Sequence, residues 1–305
     1  MLGYILKRVG LALLVAFAVS IISFFLLRLS GDVAAAIAGE GARQEDLELI
    51  RKTYGLDRPL VVQYAEWLGR TLSGDFGQSL YFKTDVVGLI TAKLPTTLLL
   101  GVLSLAFALI VSIPLGVLAA VYAGGWIDRV ALAIAVVGQA LPNFFFALCL
   151  VILFSIRLRW LPVSGSGTWL HFVMPTIALG YYITPPLMRL VRAGMIEVLS
   201  SDYVRTARAK GLSSTAVVFK HALRNAMVPV VALAAVQLGF LLGGSIVIES
   251  IFALDGLGYL AYQSISNKDF PVMQAVLLLL SVFYVGLTLL ADLASGWLDP
   301  RIRVS

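Results

Sequence analysis

The sequence predicts an all-α, polytopic membrane protein, and three observations carry that prediction. Of the 305 residues 60% are hydrophobic and 13% charged, with a mean hydropathy of +0.94; soluble domains average about 45–50% apolar and 25% charged. Six runs, at 9–28, 96–123, 130–155, 172–191, 229–250 and 274–297, approach or exceed the length a spanning helix needs, about 20 predominantly apolar residues. The alternating segments of about ten residues that mark a membrane β-barrel are absent.

Taken in order, the first run follows Lys7 and Arg8 and precedes an Ala34-x-Ala36 pair, which invites a signal-peptide reading. Its apolar part, Val9–Leu27, is 19 residues long. A cleavable apolar region runs about 7–15, so an uncleaved first span is expected. The 29–95 segment then reads as an external loop with structure of its own. Arg43–Thr53 carries Leu47 and Ile50 at helical spacing, with Glu45, Asp46 and Glu48 early and Arg51 and Lys52 late, an order that suits the helix dipole. Asp57 and Pro59 announce a helix over Leu60–Leu72. Gly74–Gly77 reads as a turn, Asp85 as the cap of a short helix ending near Lys93, and Pro95 as the start of span two. The loop reads either as a folded cap or as a docking surface for an external partner. Pro142 and Asn143 in span three, and Pro175, Pro185 and Pro186 around span four, are candidate kinks.

Lys and Arg outside the long loop set the orientation, because long loops escape the positive-inside rule. Lys7, Arg8, Arg129, Arg189, Arg192, Arg205, Arg208, Lys210, Lys220, Arg224, Arg301 and Arg303 fall on one side; Arg157, Arg159 and Lys268 fall on the other. Both termini are therefore expected in the cytoplasm. The net charge of +6 reads as basic cytoplasmic loops rather than nucleic-acid affinity.

The chemistry of catalysis is thin. One cysteine, Cys149, excludes a disulfide framework and a thiolate-rich metal site, and two histidines leave little for metal catalysis. Cys149 reads as a small packing hydrophobe. No lysine follows a glycine, so the chain lacks a P-loop. Ser166, between Gly165 and Gly167, and His171 do not make a serine hydrolase without a positioned base and an oxyanion site. No catalytic, cofactor-binding or metal residue is expected.

The longest short-loop polar stretch runs from Glu197 to Pro229. Ser201 or Asp202 is placed to cap a short helix, and Gly211 to end it in a left-handed conformation. Val204, Ala207 and Gly211 share a small face; Arg205, Arg208 and Lys210 point elsewhere. Chemistry alone leaves two readings, docking into a groove on another protein or lying on anionic lipid.

This stretch resembles a known family. Tyr203-Val-Arg-Thr-Ala-Arg-Ala-Lys-Gly211, with His221-Ala-Leu-Arg-Asn-Ala226 and Pro229, resembles the coupling loop of ABC importer permeases. The general form is Glu-Ala-Ala, three residues, Gly, nine residues, Ile, one residue, Leu-Pro. Aligned on Gly211, Arg205 replaces Glu, Thr206 and Ala207 follow, His221 replaces Ile, Leu223 is kept and Arg224 replaces Pro. These departures resemble the dipeptide/oligopeptide/nickel/glutathione branch, in its first, B-type permease subunit. Leu6-Lys7-Arg8, Tyr54–Leu60, Gly74–Gly77, Gly243–Glu249, Gly256–Gly258 and Asp299–Arg303 extend the resemblance over nearly the whole chain; Gly31-Asp32-Val33 departs from it. Glutathione-type permeases are especially similar around His221–Glu249.

The resemblance implies a type I ABC importer permease fold and a non-catalytic subunit of an importer for peptides or glutathione-like solutes in the bacterial inner membrane. A second homologous permease, two ATP-binding subunits that hold ATP and Mg, an extracytoplasmic substrate-binding protein and the lipid bilayer would be its partners; nucleic acid would not. It divides the chain into a first span (1–28), an external loop or cap (29–95), a five-span core (96–297) holding a cytoplasmic coupling loop (192–228), and a tail (298–305). The ATPase contact would fall on Ser201, Asp202, Tyr203, Arg205, Thr206, Ala207, Arg208, Lys210 and Gly211.

Polar groups at membrane depth favour the protein interior, so Gln139, Asn143 and Gln237 are candidates to line a translocation path. Glu249 is a fourth candidate, with packing or capping as its alternative. Gly239, Gly243 and Gly244 form a small-residue face for close helix packing or for an interface that slides. Asp292 is expected to pair with a basic group. A secondary transporter would call for internal repeats and ionisable groups at mid-membrane, and the ionisable residues here cluster at span ends. A nickel-chelate or other small-solute cargo within the same family is the alternative substrate.

Overall fold

Long apolar helices run back and forth through the molecule, and short polar helices gather at their two ends. The computed structural model describes residues 2–38 and 41–298; the Asp299–Arg303 motif and the tail after Leu298 lie outside the described residues. The order is α1 (Leu2–Ser30), α2 (Val33–Ala38), α3 (Gln44–Thr53), α4 (Leu60–Leu72), α5 (Val86–Val121), α6 (Trp126–Ala140) and α7 (Asn143–Leu150). There follow α8 (Leu170–Leu199), α9 (Asp202–Ala209), α10 (Ser214–Ala216), α11 (Leu223–Phe252), α12 (Leu257–Ser266) and α13 (Phe270–Leu298). Wider π-helical turns at Val151–Arg157 and Val217–Ala222 extend α7 and join α10 to α11. Among the described residues the β-structure amounts to an isolated bridge between Gln78 and Asp85.

Among the described residues, four segments are long and apolar enough to cross a membrane: Ile5–Leu26, Val86–Val121, Ser214–Phe252 and Phe270–Leu293. The run at 130–155 is one apolar stretch in sequence but two helices in space, Trp126–Ala140 and Asn143–Arg157, bent by 98°. Leu141 between them is extended and Pro142 precedes the second helix, as a residue before proline prefers. The run at 172–191 lies in α8, which is long enough at 30 residues but is not among the segments apolar enough to count by composition. Its surroundings explain this. Met174, Ala178, Ile183, Leu187, Val191 and Met195 are buried along it, and it packs on α5, α6, α7 and α11. A helix that faces protein needs less of the apolar character that lipid demands.

Lipid tails are as apolar as leucine, so helices in a membrane associate mainly through close packing. Two glycines set the approach of α5 to α8. A Cβ on Gly180 would stand 2.5 Å from the Ser104 carbonyl oxygen, and one on Gly116 2.7 Å from the Val191 Cβ. Helices α1 and α13 run antiparallel: Arg8 pairs with Asp292 at 2.9 Å near one end, and Gly31 lies beside the Phe270 ring at the other. The expected Asp292 pairing is thus met across α1.

At this second end the cap is built by local bonds. Asp32 accepts from the Ala34 N–H and pairs with Arg51 at 2.5 Å, tying α2 to α3. The α4 side chains of Tyr64 and Trp67 pack on Phe24 of α1, and the Tyr64 hydroxyl lies 2.8 Å from that of Ser20. Asp269, fully buried, accepts from the Ser79 hydroxyl and the Leu80 and Tyr81 N–H groups, pinning the 78–85 turn to the start of α13. Helix α4 spans the expected Leu60–Leu72, and Asp85 accepts from the Gly88 N–H as expected of a cap. The expected break at Pro95 is absent: α5 runs unbroken from Val86. A proline removes one backbone donor, and a helix packed among neighbours tolerates that loss.

Candidate coupling and translocation elements

Helix α9 stands between the two long helices α8 and α11. Val204 and Ala207, three apart, fall on one face and are buried against Val198, Leu199 and Val217 of the same chain. Ser201 occupies the position before the helix, but its hydroxyl donates to the Val198 carbonyl instead of accepting from the helix. Gly211 ends the element with φ +78, the left-handed turn glycine adopts without penalty. The Tyr203 hydroxyl accepts from Asn225 Nδ2 at 2.7 Å, linking α9 to the base of α11.

Two members of the small face expected to dock elsewhere, Val204 and Ala207, are therefore turned inward, while Gly211 is not. Asp202, Tyr203, Arg205, Thr206, Arg208, Lys210 and Gly211 are exposed, Ser201 is half-buried and Ala207 is buried. Ala207 seats the helix; the surface left for a partner is the charged, aromatic-tipped face around it. The Arg205–Asp202 pair, at 3.5 Å with both side chains almost fully in solvent, leaves those charges available.

A second cluster sits at the same end of α8. Arg192 grips Asp128 with two bonds, Nε to Oδ1 at 2.6 Å and Nη2 to Oδ2 at 2.7 Å, and the Gly124 N–H adds a third to the buried carboxylate. The Arg192 guanidinium, then the Gly124 N–H, lower the Asp128 pKa from its ordinary value to about 2. This fixes the turn between α5 and α6 to α8. The bond from Arg189 Nη2 to Gln139 Oε1, 2.7 Å, repeats the link toward the break in span three. The signal for the first pair in the sequence is a pair of opposite charges beside consecutive spans, Asp128 and Arg192.

The path candidates separate. Gln139 is exposed but engaged by Arg189; Asn143 and Gln237 are half-buried. Glu249 is held by bonds within the chain. It is fully buried, accepting from the Thr97 hydroxyl at 2.9 Å and the Tyr259 N–H at 3.1 Å. Thr97 in turn accepts from the Leu257 N–H at 2.8 Å. The carboxylate holds the N-terminus of α12, where unsatisfied N–H groups favour an anion. The Gly256-Leu-Gly258 motif follows from this clamp: a Cβ on Gly256 would stand 2.3 Å from Glu249 Oε2, and one on Gly258 2.6 Å from the Ile246 Cα.

The α11 glycines separate as well. Gly239 packs on Tyr284 of α13, where a Cβ would lie 3.1 Å from the ring. Gly243 meets nothing within 4 Å, and Gly244 meets only Phe240 of its own helix. Among the described residues, neither position meets another helix within that distance. Cys149, expected inside, is exposed on the outer face of the broken span. His171 bonds the Thr168 hydroxyl at 2.9 Å and not Ser166.

Comparison with known proteins decides what these elements belong to. The family model described as binding-protein-dependent transport system inner membrane component matches residues 112–304. The model for the family's N-terminal part matches residues 1–101. The chain belongs to this family. This permease is 41% identical over 304 residues to the glutathione transport system permease protein GsiC of Escherichia coli strain K12, covering 99% of each chain. The GsiC of Shigella dysenteriae serotype 1 matches equally. Of solved structures, the inward-facing MetNI methionine ABC transporter in its CY5 native crystal form shares the fold. Its TM-score is 0.58 at 21% identity, over 70% of this chain and 97% of that one. A second crystal form gives 0.59 at 22%, over 69% and 96%. The permease is thus a multi-pass inner-membrane component of a binding-protein-dependent ABC importer. It is a non-catalytic subunit without a cofactor of its own, and it works with ATPase and substrate-binding partners.

Proposed function

We propose that this permease forms half of the pore of an importer for glutathione or short peptides and receives the work of ATP hydrolysis through α9. The observation that carries the reading is the seating of α9. Val204 and Ala207 fix it to the chain while Tyr203, Arg205, Thr206, Arg208 and Lys210 stay outward. A lever needs both a rigid attachment and a free face. An ATPase that contacts this face differently in its open and closed states shifts the helices above it, since only a difference in contact energy moves a conformational equilibrium.

The remaining assignments follow from that one. Six spans with both termini in the cytoplasm place α9 and the Asp128–Arg192 clamp on the ATPase side and the 29–95 cap outside, toward the substrate-binding protein. The loop 192–228 is the coupling loop. The face bearing Gly243 and Gly244, where an added Cβ would meet no other helix among the described residues, suits contact with a second permease. Gln139, Asn143 and Gln237 are kept as path residues, and Glu249 is assigned to structure. The GsiC likeness over the full length supports glutathione as cargo.

Reconstitution tests this. Tagged permease is expected to co-purify with a second permease and two ATPases. With the cognate binding protein, vesicles are expected to take up glutathione only while ATP is hydrolysed. Transport by this chain alone on an ion gradient would overturn the assignment; uptake of a nickel chelate in place of glutathione would overturn the cargo.

A further inference from the structure

We infer that a cavity at the capped end of the bundle binds the phosphodiester headgroup of an anionic phospholipid. The cavity, of about 460 Å³, lies where α1 ends, α13 begins and the cap folds over both. Arg28, Arg70 and Lys83 line it together with the rings of Trp67 and Phe270. One carboxylate, that of Asp75, shares the wall, and it already accepts from the Gly77 N–H at 2.8 Å. Among the described residues none of the three cations has a carboxylate within salt-bridge distance.

Like charges gathered in a half-enclosed space are costly unless an anion joins them. The Arg28 and Arg70 side chains face the same cavity, and Arg28 is held in place over the Phe24 ring, 5.0 Å from its centre. Two guanidiniums match the oxygens of a phosphate, which they grip in pairs.

Depth selects a lipid over a free anion. Arg28 stands two residues beyond the apolar segment Ile5–Leu26, the level at which headgroups meet a spanning helix. Tryptophan and arginine are anchors of that level.

The test uses the full chain, purified in detergent and stripped of lipid, with bound lipid read by native mass spectrometry. Phosphatidylglycerol should be retained about tenfold better than phosphatidylcholine of the same chains, each cation near an anionic headgroup adding several-fold. The Arg28→Gln/Arg70→Gln variant should lose that preference. A control that removes the same charge elsewhere on the cap, Arg43→Gln/Lys52→Gln, should keep it. Arg70 is exposed, so Arg70→Gln alone carries the test if the double variant fails to fold, with a smaller loss expected. Equal retention of the two lipids would overturn the proposal. So would an unchanged preference in the Arg28/Arg70 variants, or an equal loss in the control. Complete displacement of phosphatidylglycerol by millimolar inorganic phosphate would reassign the cavity to a free anion.

Discussion

Single residues decide how closely this molecule packs. Gly180 lets α8 approach the Ser104 carbonyl, and the space an added methyl would need is absent at 2.5 Å. Gly180→Ala should lower the unfolding midpoint of the detergent-solubilised permease, at a cost of about 1–3 kcal/mol for an overpacked site. Gly243→Ala, with nothing within 4 Å, should keep or raise that midpoint, since alanine favours a helix over glycine. The same scale holds the Asp128 clamp. An aspartate held at about 2 when folded and near 3.9 unfolded contributes stability that is complete above about pH 5. That stability is lost as pH falls toward 2. Asp128→Asn should therefore weaken the junction of α5, α6 and α8 at pH 7. The difference between variant and wild type, followed by hydrogen exchange at 122–130, should shrink as pH drops from 4 to 2. An undiminished difference at pH 2 would remove the carboxylate from the explanation.

At the scale of the element, α9 separates seating from contact. Ala207→Arg forces a charge into the buried face shared with Val217 and Val198. It should destabilise the loop by about 2 kcal/mol or more and abolish uptake. Arg208→Glu changes only the exposed face. It should also abolish uptake, through lost ATPase contact, while the thermal midpoint of the permease alone stays near wild type. Full uptake by Arg208→Glu would move the coupling contact elsewhere. The sequence marked α9 by its serine, its arginines and its terminal glycine. Which way its small residues face was not legible, because Val217, their partner, lies beyond the turn and a helical wheel carries no information about the opposite wall. Span three shows the same limit. Pro142 announced a kink, but the 98° bend that turns one apolar run into two helices depends on how each half packs.

For the whole molecule the open quantity is sidedness. The lysine and arginine distribution predicts that a cysteine at position 210 is labelled from the cytoplasm and one at 83 from outside. Both sites are exposed, and Cys149→Ser, a change on an exposed surface, clears the background. Labelling of both from one face would overturn the six-span arrangement. Glu249 and Asp269 also belong to this scale. Each is a buried carboxylate that joins segments far apart in the chain, Thr97 to Tyr259 and Ser79 to Asp269. They hold the capped end together as one body.

By itself the sequence determined the class, the apolar runs, two helices of the cap and the short helix α9 with its glycine stop. Hydropathy, capping and motif spacing are properties of neighbouring residues, and each acts within a few turns of chain. The tertiary structure alone decided that Ala207 faces inward, that Glu249 bonds to Thr97 and the start of α12, and that α8 is interior. It alone gathered Arg28, Arg70 and Lys83 around one cavity. Those outcomes depend on contacts between residues tens or hundreds of positions apart. In a membrane, where apolar faces carry no preference for one partner over another, close packing and buried polar bonds choose among them.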